Sequence, residues 1–136
     1  MYRCEYFFIR ELVAPGMFEK MGEKCWELFD ERALISLDRI RHRFGPTVVN
    51  NWHNGGDREW SGLRTPDSRY YSPTSQHSFG RAFDCIFLDT QPWKVINTIM
   101  KNPDDTDFEF INAVEDVEGW LHFDVRNCKR IKFFKP

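Results

Sequence analysis

The sequence of 136 residues contains 19 basic and 21 acidic side chains, and its formal net charge is −2. The two signs are closely mixed, which argues against the extended basic surface of a nucleic-acid-binding protein. With 41% hydrophobic and 16% aromatic residues, the composition is that of a globular protein, and the length allows a single domain with one hydrophobic core.

The N-terminal residues contain no apolar segment of the kind found in secretory signal peptides, and no run of about 18 apolar residues could cross a membrane. We therefore expect synthesis in the cytoplasm, without a signal peptide and without a membrane span. The cysteines are widely spaced and form no Cys-x-x-Cys pair. This spacing argues against a zinc ribbon, and we expect reduced, mostly buried thiols.

The N-terminal third is expected to form a packed arm. Residues 6–9 are predicted to be extended, and Pro15 with Gly16 is predicted to break the chain. Residues 18–29 are only weakly helical because Gly22 interrupts the pattern.

The clearest predicted helix begins after Asp30, a plausible N-cap, and ends at Gly45. Between them, apolar residues recur at intervals of three and four. The outward face is expected to be a solvated set of charged and polar residues, namely Arg32, Asp38, Arg39, His42 and Arg43.

The centre of the chain is predicted to hold two strands, residues 47–52 and 81–88, separated by a long polar segment, residues 53–75. Loops of that length in a compact domain are usually functional. Strand alternation sends Asp84 to one face of the sheet and Cys85 to the other.

A second helix is predicted after Asp89 or Thr90, with Pro92 in its first turn. Its expected apolar stripe consists of Trp93, Ile96, Ile99 and Met100. It covers one sheet face in the predicted fold.

Two further strands, residues 108–114 and 120–125, are predicted to be joined by a turn at residues 117–119. In that hairpin Glu115 lies opposite His122. Residues 130–134 could close the sheet as an edge strand. The expected fold class is α+β, with a small antiparallel sheet and helices packed on one face.

Two short motifs carry the chemistry. Ser75, His77, Gly80, Ala82 and Asp84 fit the pattern S-x-H-x-x-G-x-A-x-D, and Trp120-x-His122-x-Asp124 follows one helix and one hairpin later. A catalytic zinc typically takes three protein ligands and leaves one coordination position open. His77, Asp84 and His122 would supply such a set.

These motifs resemble those of the LAS-type zinc peptidases, the group that includes D-Ala-D-Ala carboxypeptidases and dipeptidases, phage L-Ala-D-Glu endolysins and the hedgehog signalling domain. The likeness spans roughly residues 8–126. It implies one catalytic domain over residues 1–136, with a single zinc ion bound on the sheet by His77, Asp84 and His122.

By the same resemblance, Ser75 and Arg64 hold the substrate. Arg64 ends the run Ser61-Gly62-Leu63-Arg64, in which Leu63 stands where the family has tyrosine. A planar guanidinium binds a carboxylate or carbonyl oxygen with directed donors.

The sequence leaves two candidates for the general base. Dipeptidase relatives have a glutamate three residues before the last histidine, where this chain has Gly119. Glu115 and Glu118 are the alternatives, and the proposed hairpin favours Glu115 because it lies opposite His122. Asp124 could orient a ligand histidine or be a solvated carboxylate at the strand end. Trp120 could pack beneath the site or form a wall of the substrate cleft, and burial is the favoured alternative.

The resemblance implies zinc-dependent hydrolysis of a peptide bond in peptidoglycan stem peptides, of D-Ala-D-Ala carboxypeptidase or L-Ala-D-Glu endopeptidase type. A phage or prophage enzyme that reaches the cell wall after release, or as a virion component, fits the absence of a signal peptide. The alternative is a non-enzymatic binding or virion-assembly module stabilised by the metal. We expect a monomer whose partner is the stem peptide, with no role for nucleic acid.

Overall fold

The computed structural model describes residues 1–128 and 131–136. Its helices are α1 (Pro15–Met21), α2 (Glu31–Phe44) and α3 (Pro92–Lys101), and its strands are β1 (Thr47–Val48), β2 (Ala82–Phe87), β3 (Ala113–Glu115), β4 (Leu121–Asp124) and β5 (Lys132–Phe134). The strands form one open sheet in the order β1-β2-β4-β3-β5. The predicted α+β class is confirmed. In the predicted edge strand, Arg130 lies outside the described residues.

The sheet is mixed, so the expectation of a purely antiparallel sheet is wrong. Strands β1, β2, β4 and β3 pair antiparallel, but β5 runs parallel to β3. The reason is that β4 already has a neighbour on both edges. After β4 the chain reverses direction and β5 pairs with the outer edge of β3. Because β3 is itself antiparallel to β4, this one reversal makes β5 parallel to β3.

Helix α2 follows the sequence prediction closely. The Asp30 side chain caps it by accepting a hydrogen bond from the Arg32 backbone amide at 3.0 Å. At the other end Gly45 takes a φ of 87°, a value that favours glycine. The fully buried face of α2 consists of Ala33, Leu34, Leu37 and Ile40.

One residue of the supposed outward face of α2 is buried. Asp38 is only 5% exposed, because the N-terminal arm folds over it. Its carboxylate accepts hydrogen bonds from the Tyr2 hydroxyl at 2.6 Å and from the Glu5 backbone amide at 2.7 Å. Burial, reinforced by Asp38, raises the pKa of the Tyr2 hydroxyl. Asp38 therefore fastens the arm to the helix.

The ends and faces of the other two helices differ from the predictions. Pro15 does not break the chain but begins α1, where its missing N–H costs nothing. Helix α3 is preceded by Gln91, which makes no side-chain cap. Its buried stripe is Val95, Ile96 and Ile99, whereas Trp93 and Met100 are exposed.

The two sheet faces are chemically different. Phe83 on β2, Val114 on β3 and Phe123 on β4 are fully buried in the hydrophobic core, on the side where α2 and α3 pack. The opposite face of β2, β3 and β4 includes four polar side chains, Asp84, Glu115, His122 and Asp124. Among the described residues, no helix is both long and apolar enough to span a bilayer.

Candidate metal centre

Three side chains converge above the polar face of the sheet. His77 comes from the short 3-10 helix Gln76–Phe79, Asp84 from β2 and His122 from β4. His77 Nε2 lies 3.3 Å from His122 Nδ1 and 3.3 Å from Asp84 Oδ1. The third side of this triangle, from His122 Nδ1 to Asp84 Oδ1, measures 2.9 Å.

The spacing of these atoms suits a small tetrahedral cation. Ligand atoms bound about 2.0–2.1 Å from a tetrahedral zinc lie about 3.3 Å from one another. The observed triangle is close to that size, and its longest sides equal it. The group could therefore bind a metal ion.

Local backbone structure brings His77 and Asp84 together. The Ser75 hydroxyl accepts a hydrogen bond from the His77 backbone amide at 3.3 Å and begins the 3-10 helix. The helix ends at Gly80, whose φ is 65° and where an added Cβ would lie 2.1 Å from the Leu28 carbonyl oxygen. Glycine is thus required both for the turn and for the close approach. The chain then enters β2 and delivers Asp84 beside His77.

Hydrogen bonds on the far side of each imidazole orient the two histidines. His77 Nδ1 lies 2.9 Å from the Gly62 carbonyl oxygen, which can only accept. His122 Nε2 lies 3.0 Å from Asp124 Oδ2. Each of these nitrogens therefore carries a proton, and the other nitrogen of each ring faces the triangle, where its lone pair can bind a metal ion once that nitrogen is deprotonated.

Side-chain alternation along β4 places Asp124 on the same face as His122. The Asp124 carboxylate is completely buried and lies on the same strand face as His122, two residues away. Of the two interpretations of this residue, the structure supports the one in which it orients the histidine. A solvated position at the strand end is excluded by its burial.

The pKa values of Asp84 and His122 are shifted by the contact between the two side chains. Burial opposes ionisation of both Asp84 and His122. For Asp84, hydrogen bonds from His122 and His77 outweigh burial and lower the pKa of the carboxyl. For His122, hydrogen bonds to Asp124 and Asp84 outweigh burial and raise the pKa to about 9. The carboxylates of Asp84 and Asp124 thus stabilise positive charge on the His122 ring.

Arg64 lies at the cluster and contacts a predicted ligand directly. Its Nη2 donates to Asp84 Oδ2 at 3.0 Å, and its Nε donates to the Trp60 carbonyl at 2.8 Å. The guanidinium therefore holds Asp84 so that the other carboxylate oxygen, Oδ1, faces the histidines. It also lines the adjoining cleft, where the sequence analysis expects it to meet substrate.

The two candidate bases occupy different positions. Glu115 pairs directly with His122 across β3 and β4, so the predicted register is confirmed. Its Oε2 lies 3.9 Å from His122 Nδ1, and it lines the cleft above the cluster. Glu118 is exposed in the turn after β3 and does not line that cleft.

The cleft is an open cavity of about 390 Å³, and the three side chains of the cluster line it. Ser75 lines it, as does Trp120. Trp120 is 38% exposed, so the favoured alternative of burial is wrong and the other alternative, a position in the cleft wall, is the one observed. The hairpin turn carries it out of the core, and its ring forms one wall.

Sequence reasoning missed Arg126, which also lines the cleft. Its Nε and Nη2 donate to the two carboxylate oxygens of Asp124 at 2.7 and 2.6 Å, and its guanidinium stacks on Phe134 of β5 at 4.9 Å. The alternation of His122, Asp124 and Arg126 at every second residue could have indicated it. Its role depends on β5, however, which the sequence does not align with β3.

Comparisons with protein-family models, with curated proteins and with solved structures found no match to this chain. The resemblance to the zinc peptidases therefore depends on the two motifs alone. The geometry of the cluster provides a separate, physical basis for its chemistry.

Proposed function

We propose that the chain is a zinc-dependent peptidase that hydrolyses a bond in peptidoglycan stem peptides. The observation that carries the proposal is the convergence of three donor atoms beneath an open cleft, with the Glu115 carboxylate on the cleft wall. A site built only for stability normally surrounds its zinc with four protein ligands. Here three donors face a cavity large enough for a peptide segment.

The donor set of two imidazole nitrogens and one carboxylate oxygen suits zinc. When bound, zinc supplies Lewis-acid activation of water and of the scissile carbonyl. His77, Asp84 and His122 would hold it. Gly62, Arg64 and Asp124 would keep those three side chains oriented through the hydrogen bonds described above.

In the proposed reaction Glu115 is the general base. It takes one proton from the attacking water, whose oxygen forms the new bond to the scissile carbonyl carbon. The same carboxyl then returns the proton to the amine that leaves when the C–N bond breaks. Arg64 and Ser75 line the same cleft and would bind oxygen atoms of the substrate.

The substrate class comes from the motif resemblance. It implies a D-Ala-D-Ala or an L-Ala-D-Glu bond in a stem peptide, cut by a phage or prophage enzyme after release or within a virion. The many polar groups that line the cleft are compatible with the polar backbone of such a peptide.

To test the proposal, zinc-loaded protein is incubated with stem peptides containing each bond, and release of new amino groups is followed. We expect turnover of one bond type and at least a 100-fold loss in His77→Ala, because the ligand set becomes incomplete. His42→Ala is the matched control, since His42 is exposed on α2 and does not line the cleft.

Two results would contradict the proposal. One is equal release by wild type and His77→Ala, which would point to a contaminating enzyme. The other is stoichiometric zinc binding with no turnover of either bond type, which would favour the metal-stabilised binding module instead.

A further inference from the structure

A second cavity continues from the metal centre along the long polar segment. Its volume is about 450 Å³, and it shares Arg64, Asp84 and Trp120 with the cleft above the cluster. We call it the side trough. Its remaining lining residues are Asp57, Arg58, Glu59, Trp60, Ser61, Arg69 and Tyr70. A substrate bound at the metal would therefore extend one of its groups into this space.

The side trough contains charges of both signs that the protein does not pair. Arg69, Asp57 and Glu59 form no ion pair with any of the described residues. The other two arginines of the trough differ. Arg64 binds Asp84, and Arg58 donates to the backbone carbonyls of Val49 and Asp84.

Arg69 is held in place without being neutralised. Its guanidinium lies over the Tyr70 ring, 4.8 Å from the ring centre, and its Nη2 donates to the Tyr70 hydroxyl at 2.6 Å. Nε and Nη1 have no hydrogen-bond partner among residues 1–128 and 131–136. A stacked guanidinium with free donors is well suited to bind a carboxylate.

The opposite charges and the aromatic walls suggest a particular ligand. A carboxylate would pair with Arg69. An ammonium group would pair with Glu59, which is less exposed than Asp57, and the Trp60 and Trp120 rings would cover an aliphatic stem between backbone and charged end. Neither a purely anionic nor a purely cationic group would satisfy both sets of charges.

We propose that the side trough is a specificity subsite for a substrate residue whose side chain ends in both a carboxylate and an ammonium group. The inference rests on the proposed function, since it assigns a subsite to the same reaction. It adds two specificity residues, Arg69 and Glu59, neither of which belongs to the sequence motifs.

The test compares peptides that differ at one residue. Diaminopimelate carries both charged groups, lysine carries only the ammonium, aminopimelate carries only the carboxylate and norleucine carries neither. We expect wild type to have the highest kcat/KM for the diaminopimelate peptide. Arg69→Gln should lower that value about tenfold, as expected for the loss of a charge-assisted hydrogen bond, and leave the lysine peptide unchanged.

Glu59→Gln should show the complementary pattern. It should reduce kcat/KM for the diaminopimelate and lysine peptides and leave the aminopimelate peptide unchanged. Arg10→Gln is the matched control, because Arg10 is an exposed arginine that stacks on Phe8 outside the side trough. Equal kcat/KM for the four peptides, or the same loss on all four in each variant, would overturn the proposal.

Binding is measured separately from turnover, so that the two proposals can fail independently. Free diaminopimelate is titrated into zinc-loaded protein, and NMR shifts of the Trp60 and Trp120 indole groups are followed. Saturable shifts that weaken about tenfold in Arg69→Gln support the subsite even when no peptide is cut. If no saturable shifts are seen and the four peptides are cleaved with equal kcat/KM, the subsite proposal is contradicted. The peptidase proposal is then still supported.

Discussion

His122 is flanked by two carboxylates whose surroundings give them different chemistry. Asp124 is completely buried, and Arg126 donates to both of its oxygens. Those contacts, with the one to His122, leave it little capacity to accept a proton. Glu115 lies on the other side of the ring, and no hydrogen bond engages its carboxylate among the described residues. Of the two, Glu115 is therefore the carboxylate that we propose as the general base.

The role of Glu115 leads to a prediction about kcat. Glu115→Gln should reduce kcat by about 10²–10⁴-fold, the usual contribution of a general base, while the zinc content stays at one ion per chain. Glu118→Gln is the matched control and should retain wild-type kcat, because Glu118 is exposed in the turn. Steady-state kinetics with metal analysis of each variant provides the measurement.

The opposite order of kcat values in these two variants would identify Glu118, in the turn, as the general base. If Glu118→Gln lost activity and Glu115→Gln kept it, the hairpin turn would have to fold over the cleft during catalysis. A loss of zinc in Glu115→Gln would instead make Glu115 a ligand.

Among the elements, those specified by local sequence were predicted well. Asp30 and Gly45 set the ends of α2, and the short turn after β3 fixed the register that pairs Glu115 with His122. The position of β5 depends on which sheet edge is free after β4, which no local pattern encodes. The burial of Asp38 likewise depends on the arm that folds over it. Arg126 was missed for the same reason, because its stacking partner Phe134 comes from β5.

The N-terminus of α2 leads to a prediction about stability and pH. Asp30 accepts hydrogen bonds from the Arg32 side chain at 3.0 and 2.8 Å, and these bonds, more than any other cause, lower the pKa of its carboxyl. Because the folded-state pKa lies below the unfolded value of about 3.9, the stabilisation is present at neutral pH and is lost as pH falls through the folded-state pKa.

Two substitutions distinguish the stability contributed by the helix cap from that contributed by the charge of Asp30. Asp30→Ala should lower the free energy of unfolding by about 1 kcal/mol at pH 7. Asp30→Asn keeps a capping oxygen and should lose less, because the exposed ion pair contributes at most about 1 kcal/mol. The difference in free energy of unfolding between wild type and Asp30→Asn should become smaller below about pH 4. Asp104→Asn, at an exposed aspartate, is the control in urea unfolding. A deficit that grows on acidification would contradict the assignment.

In the whole molecule, the sheet separates two functions. One face buries the aromatic core against α2 and α3, and the other presents acidic and histidine side chains to an open cleft. The three potential metal ligands come from a 3-10 helix and two strands, and His122 follows His77 by 45 residues. In the unfolded chain these donors are far apart. The three donor atoms come together only when the sheet is assembled.

Metal binding should therefore be coupled to folding. A cation that binds only the folded state stabilises it by about 2.7 kcal/mol at a free concentration 100 times its Kd, which for a domain of this size raises Tm by roughly 10 °C. We expect zinc to produce such a rise in calorimetry, and a chelator to reverse it. Glu115→Gln should keep the rise because it preserves all three donors. His122→Ala should abolish it, whereas His42→Ala should not. Equal responses of these two histidine variants to zinc would mean that the metal binds elsewhere on the chain, and the proposed zinc centre would then be wrong.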